Sequence, residues 1–195
     1  MIVAIIDTET TGLLLPSSCP IEKQPKIIEL GIILVKVSGG EGKVINQYNW
    51  LINPEIPLPK EITKITGLKD SDLQDKPTFK TLLPAIKSAF DQCDVIIAHN
   101  AHFDVGMLKN DIKRAGCTDF KWPEKIICSV QEYTSRFGRK PSMKVLYKAV
   151  FGEELKQTHR AMDDAKALYD ILHKDGFFSL LWVNYDRFNW RFPNW

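Results

Sequence analysis

The sequence predicts an α/β domain, a mixed sheet covered by helices. Three observations carry that prediction. Residues 2–6 (I-V-A-I-I) form a short, β-branched apolar run without charge, the pattern of a strand buried on both faces. Residues 27–37 and 43–52 are two more strand patterns, joined by the turn cluster Ser38-Gly39-Gly40-Glu41-Gly42, and read as an antiparallel hairpin. Later in the chain, apolar strands at 95–98 and 125–130 alternate with stretches of helical periodicity.

The first strand runs straight into Asp7 and Glu9. Side chains on a strand alternate, so positions two apart point to the same side. Two carboxylates side by side at the end of a central strand repel unless a cation lies between them, and hard divalent ions prefer oxygen ligands. The competing reading is a plain strand end entering the turn Thr10-Thr11-Gly12.

Residues 13–26 carry Pro16, Ser17, Ser18, Pro20 and Pro25 and form a long loop beside this candidate site. Glu29 falls inside the second strand and is read as structural or site-flanking, because no paired carboxylate accompanies it. Residues 53–60 are irregular and proline-rich, and 61–73 look helical in short pieces broken at Gly67. Phe79, Leu82, Leu83, Ile86 and Phe90 recur at helical spacing, with Pro84 predicting a kink or a shifted start. Helices are expected at 103–115, 143–151 and 161–173.

Two further acidic positions stand out. Asp104 follows the strand 95–98 within H-N-A-H-F-D. Sites of open α/β sheets lie beyond strand ends, so Asp104 can reach the place where Asp7 and Glu9 emerge. Alternatively it stabilises the dipole of its own helix. The third position lies in T-H-R-A-M-D-D-A, 158–165, where two aspartates are adjacent. At about 100° per residue, Ala161, Ala165, Leu168 and Leu172 share a face; Asp164 lies roughly 60° from its centre and Asp163 roughly 160°. Asp164 is therefore the candidate ligand, and Asp163 a solvated charge near Arg160 and Lys166. His159 sits just ahead of this helix, and an imidazole suits a proton acceptor from water. His99, His102 and His173 receive no chemistry.

The chain has 195 residues and a formal charge of +2, ordinary for one domain and not by itself the mark of a nucleic-acid binder. Cys19, Cys93, Cys117 and Cys128 are widely spaced, which suggests neither a zinc nor a disulfide framework and fits a reducing compartment. The N-terminal run lacks a basic flank and is interrupted by Asp7 and Glu9, unlike a secretion signal. No segment is long and apolar enough to span a bilayer. A cytoplasmic protein without a membrane partner is expected.

Taken together, I-I-D-T-E-T-T-G-L (5–13), A-H-N-A-H-F-D (98–104) and H-R-A-M-D-D-A (159–165) resemble the motifs of the DnaQ-like 3′–5′ exonucleases, DEDDh branch. K-I-I-E-L-G at 26–31, I-T-G-L at 65–68 and D-K-P-T-F at 75–79 are similar to that family as well, so the likeness spans about residues 2–172. The resemblance implies an RNase H-like five-stranded sheet, three antiparallel strands first and then parallel ones, with helices on both faces. It implies two Mg²⁺ or Mn²⁺ ions. Asp7 would bridge them, Glu9 and Asp164 would complete one shell, Asp104 would serve the other, and His159 would be the general base. It implies binding of a 3′-terminal nucleotide by Thr10, Thr11 and Leu13, with Leu13 as a wedge. Thr66 stands where the replicative epsilon subunit has a histidine. Phe103 would lie near the terminal sugar or base, or pack in the core. The implied partner is the 3′ end of single-stranded nucleic acid, DNA ahead of RNA; a non-catalytic accessory subunit is the rival of another class.

Two stretches suit partners. Residues 109–148 hold ten basic residues, among them Arg136, Arg139 and Lys140 around Gly138, which either track phosphates or simply cover solvated surface. The division expected is an exonuclease domain at 1–174 and an aromatic-rich tail at 175–195, which packs on the domain or docks a protein partner. A tail that only docks can be deleted without loss of hydrolysis.

Overall fold

The computed structural model describes residues 1–188. Five strands form one sheet: β1 (Ile2–Thr10), β2 (Ile27–Ser38), β3 (Glu41–Leu51), β4 (Val95–Ala98) and β5 (Lys125–Cys128), in the order β3-β2-β1-β4-β5. The first three are antiparallel neighbours; β4 and β5 run parallel to β1. This is the mixed, RNase H-like sheet the sequence predicts. The β2–β3 turn is the pair Gly39-Gly40, with φ of 60° and 87°. A two-residue hairpin loop with both φ positive matches the right-handed strand twist, and glycine meets that need without strain.

The helices α1 (Lys60–Thr66), α2 (Asp70–Leu73), α3 (Phe79–Phe90), α4 (Ala101–Arg114), α5 (Ser129–Phe137), α6 (Met143–Phe151), α7 (Ala161–Lys174) and α8 (Phe177–Val183) complete the described fold. Alternation along β1 divides the core in two. Val3 and Ile5 join Ile33, Val35 and Val37 of β2 under Ala165, Leu168, Ile171 and Leu172 of α7. Ala4 and Ile6 join Leu30, Ile32 and Leu34 under Ile86 and Phe90 of α3 and Val105 and Leu108 of α4. Helices therefore cover both faces, and β1 is buried on both, as its unbroken apolar run requires.

Several local readings change. β1 does not stop before Asp7 but continues to Thr10, paired with β2 throughout. α3 starts where its apolar pattern starts and runs through Pro84 as one helix, with Pro84 on its exposed face. β5 stops at Cys128, short of the expected 130, and α5 takes over at Ser129 and runs through residues 131–137, which the sequence reads only as part of a basic surface. Val130, Tyr133, Thr134 and Phe137 do recur at helical spacing there, but Ser129, Gln131 and Ser135 dilute the pattern. Phe177, Phe178, Leu181 and Phe188 are buried in the α7 side of the core, so this part of the tail is interior. Trp190, Phe192 and Trp195 lie outside the described residues. Among the described residues no helix is long and apolar enough to cross a membrane.

Candidate active site

β4 ends at Ala98, opposite Ile6 of β1. Beyond that point β1 keeps β2 on one side only, and Asp7 to Thr10 border an open cleft at the C-terminal end of the parallel strands. Asp7 and Glu9 share the parity of Val3 and Ile5, so both point to the α7 side.

Asp104 enters the cleft from the first turn of α4. It is 2% exposed. Its Oδ1 accepts from the Thr8 N–H at 3.0 Å and the Thr8 hydroxyl at 2.8 Å. The strand edge that β4 leaves free is thus closed by a carboxylate. Burial pushes Asp104 up to about 7, against the lowering effect of the Thr8 bonds.

Asp164 comes from α7. Its approach depends on Gly31, the residue opposite Asp7. A Cβ at Gly31 would lie 2.7 Å from the Ala161 carbonyl and 2.8 Å from the Met162 nitrogen, all backbone. Only a hydrogen there lets the start of α7 sit directly on β2. Asp164 is buried and Asp163 exposed, as the helical arrangement places them. Gln157 donates to Asp164 Oδ2 at 3.1 Å, and the Thr158 hydroxyl donates to Asp163 at 2.7 Å. Burial raises the Asp164 carboxyl; the Gln157 bond and nearby His159 oppose the rise. Arg160, expected beside Asp163, instead turns inward to Glu29.

His159 precedes α7 in a left-handed backbone conformation, φ 52°. Ligand atoms of Glu9, His159 and Asp164 all lie within 4.8 Å of one another. The carboxylates are crowded. Glu9 is pushed up to about 8, by burial first and then by Asp164, Glu29 and Asp104, while Arg160 pulls it down. Asp7 is raised well above the carboxylate range, by burial first and then by Asp104, Asp164, Glu9 and Glu29. Raised values on several acids facing one cleft describe a site short of positive charge, and oxygen donors of this kind fit hard divalent ions.

Glu29 does have a paired carboxylate: it stands opposite Glu9 in the ladder. Its oxygens are nevertheless occupied by Arg160, so the structural reading holds for a different reason. That pair was not legible, because it joins residues far apart in the chain.

The residues expected to meet a nucleotide are less uniform. Thr10 donates to the Gly12 carbonyl at 2.7 Å, and the Thr11 hydroxyl accepts from the Lys26 N–H at 2.9 Å, so both shape the loop. Leu13 stands 79% exposed at the loop entrance. The Thr66 hydroxyl donates to Ile62 O and accepts from Leu68 N–H, closing its own helix end. Phe103 is half-buried against the α3–α4 core.

Comparison with known proteins places the chain in a family. The family model RNase_T, described as an exonuclease, matches residues 4–172. The chain is 32% identical over 168 residues to the PolC-type DNA polymerase III of Clostridium perfringens, covering 86% of this chain and 11% of the polymerase. It is 31% identical over 171 residues to DNA polymerase III subunit epsilon of Rickettsia prowazekii, covering 86% of this chain and 70% of that subunit. Among solved structures, exonuclease X bound to 5′-overhanging duplex DNA is 27% identical with a TM-score of 0.58, covering 89% of this chain and 93% of that one. The chain spans 25% or less of the first curated relatives it matches.

Proposed function

The chain belongs to the DnaQ-like 3′–5′ exonuclease family, and from that premise we propose that it hydrolyses phosphodiester bonds at 3′ ends of single-stranded DNA, releasing nucleoside 5′-monophosphates. The observation that carries this reading is the convergence of Asp7, Glu9, Asp104 and Asp164 with His159 at one strand end. Binding alone needs no general base, so the full set favours an enzyme over an accessory subunit.

Two divalent ions, Mg²⁺ or Mn²⁺, would be held by the four carboxylates and would supply charge to both the attacking and leaving oxygens. Asp7 has Asp104 and Asp164 as its strongest carboxylate neighbours, which suits a shared ligand. Glu9 has Asp164 as its strongest, which suits a common ion. Asp104 would serve the other. His159 takes the proton from the attacking water. Leu13 offers an apolar edge for the terminal base, while Thr10, Thr11 and Thr66 hold the backbone around it.

Upstream nucleotides would run past the loop between α5 and α6. His99 is the first residue past the end of β4, where Ala98 pairs with Ile6. His99 bonds Ser129 at 3.0 Å and the Pro141 backbone, tying that loop to the cleft. Arg136 is spent on Asp175 and Lys148 on Glu154. Arg139 and Lys140 are exposed, with no acidic partner among the described residues, and can meet phosphates. DNA is preferred because the polymerase relatives and exonuclease X are named for it. We assign catalysis to residues 1–174 and a packing role to residues 177–188, in a cytoplasmic protein free to dock a polymerase-like partner.

The test is a 5′-labelled single strand, as DNA and as RNA of the same sequence, with Mg²⁺ or Mn²⁺ beside Asp7→Ala. A ladder shortening from the 3′ end, faster on DNA and absent in the variant, supports the proposal. Faster loss of RNA moves it to an exoribonuclease. Strand binding without shortening would indicate an accessory role.

A further inference from the structure

The turn that carries His159 is held from both sides, and one hold comes from a carboxylate without a place in the proposed chemistry. Glu29 is fully buried on β2. Its Oε2 accepts from Arg160 Nε at 2.8 Å and from the Ala161 N–H at 3.3 Å, and its Oε1 accepts from Arg160 Nη2 at 2.9 Å. Ala161 opens α7, and its N–H is one of the helix-start donors that lack a partner within the helix. Arg160, in the N-cap position, makes no side-chain cap bond of its own. A strand residue 132 positions away supplies the cap instead. On the other side, the Thr158 hydroxyl is bonded to Asp163 of the first turn of α7. His159 lies between these holds with φ 52°. Few residues with a Cβ adopt that conformation, histidine more readily than most, and where the surroundings hold it such strain gathers at functional sites.

We infer that the Glu29–Arg160 ion pair is a positioning device: by gripping the residue next to His159 and the first N–H of α7, it imposes the left-handed turn and aims the imidazole at Glu9 and Asp164. This rests on the exonuclease reading for its catalytic consequence, but not for its geometry. Glu29 and Arg160 act through His159 and need not touch substrate. The bidentate geometry matters, because a planar guanidinium held at two nitrogens cannot swivel.

The chain has four histidines, so their ring resonances can be resolved by NMR at one pH and assigned with His159→Ala. In Glu29→Gln the His159 resonance moves to the position of a free imidazole, while His99, His102 and His173 stay in place. Turnover falls about tenfold to a hundredfold with KM within about threefold. Placed on the His159→Ala background, the same substitution costs nothing further. A folded Glu29→Gln whose His159 resonance does not move overturns the inference, as does an equal further loss in the absence of His159. Should Glu29→Gln fail to fold, Arg160→Lys keeps the charge, loses the two-point grip and is read in the same way. Absence of turnover in the unaltered protein would count against the exonuclease reading alone, and the ring resonance would still decide the positioning role.

Discussion

Five carboxylates, those of Asp7, Glu9, Glu29, Asp104 and Asp164, share one corner of the molecule, and among the described residues only Glu29 is bonded to a cationic side chain. The others lean on burial and on one another. A carboxyl raised by folding keeps a proton that the unfolded chain has already released, so stability declines as pH climbs across the gap between the two values. For Glu9 that gap runs from 4.5 to about 8, and for Asp104 from 3.8 to about 7. With chelator present, the melting temperature should therefore fall between about pH 4 and about pH 8, and Mg²⁺ at the upper end should restore it. A melting temperature flat with pH would contradict the crowding. Asp7→Asn removes a carboxyl that must take up a proton on folding or repel its neighbours. It should raise the metal-free melting temperature while lowering turnover by about a thousandfold or more, measured on the same preparation. The preference for Asp164 over Asp163 was legible from helical angles alone. The partner of Arg160 was not, since reach along one helix says nothing about a strand lying under it.

At the scale of elements, the seating of α7 on β2 is the critical contact. Gly31→Ala would drive a methyl into the backbone of Ala161 and Met162, neither of which can turn aside. It should cost about 1–3 kcal/mol in urea unfolding. Because α7 also carries Asp164, Mn²⁺ affinity measured by calorimetry should drop with it; an unchanged affinity would separate the two effects. The loop after α5 makes a different claim. Arg139→Gln with Lys140→Gln should leave a dinucleotide cut at the normal rate. It should also lower the salt dependence of binding a longer single strand by about 0.7 per lost phosphate contact. Elements with strong apolar periodicity, such as α3, α6 and α7, were readable within a residue or two. α5 escaped because serine and glutamine interrupt its stripe and its basic residues suggested a solvated loop.

At the scale of the whole molecule, the sheet was legible because strands buried on both faces cannot hide their composition. The tail was not, because aromatic residues suit a core and a docking face equally. Its first half is core. A chain ending after Asp175 loses Phe177, Phe178, Leu181 and Phe188 from the interior and should be unfolded, or several degrees less stable by calorimetry than one ending after Phe188. Equal melting of the two would show that these rings contribute no support. The seating of α7 over Gly31 also sets an order of events. Asp7, Glu9 and Asp104 precede α7 in the chain, and Asp164 and the His159 turn take their places only when that helix docks. During refolding, helix content should therefore return ahead of any capacity to cut. A nascent chain would carry a blunt tool until its fourth acid arrives, so the arrival of a single helix would time the first cut.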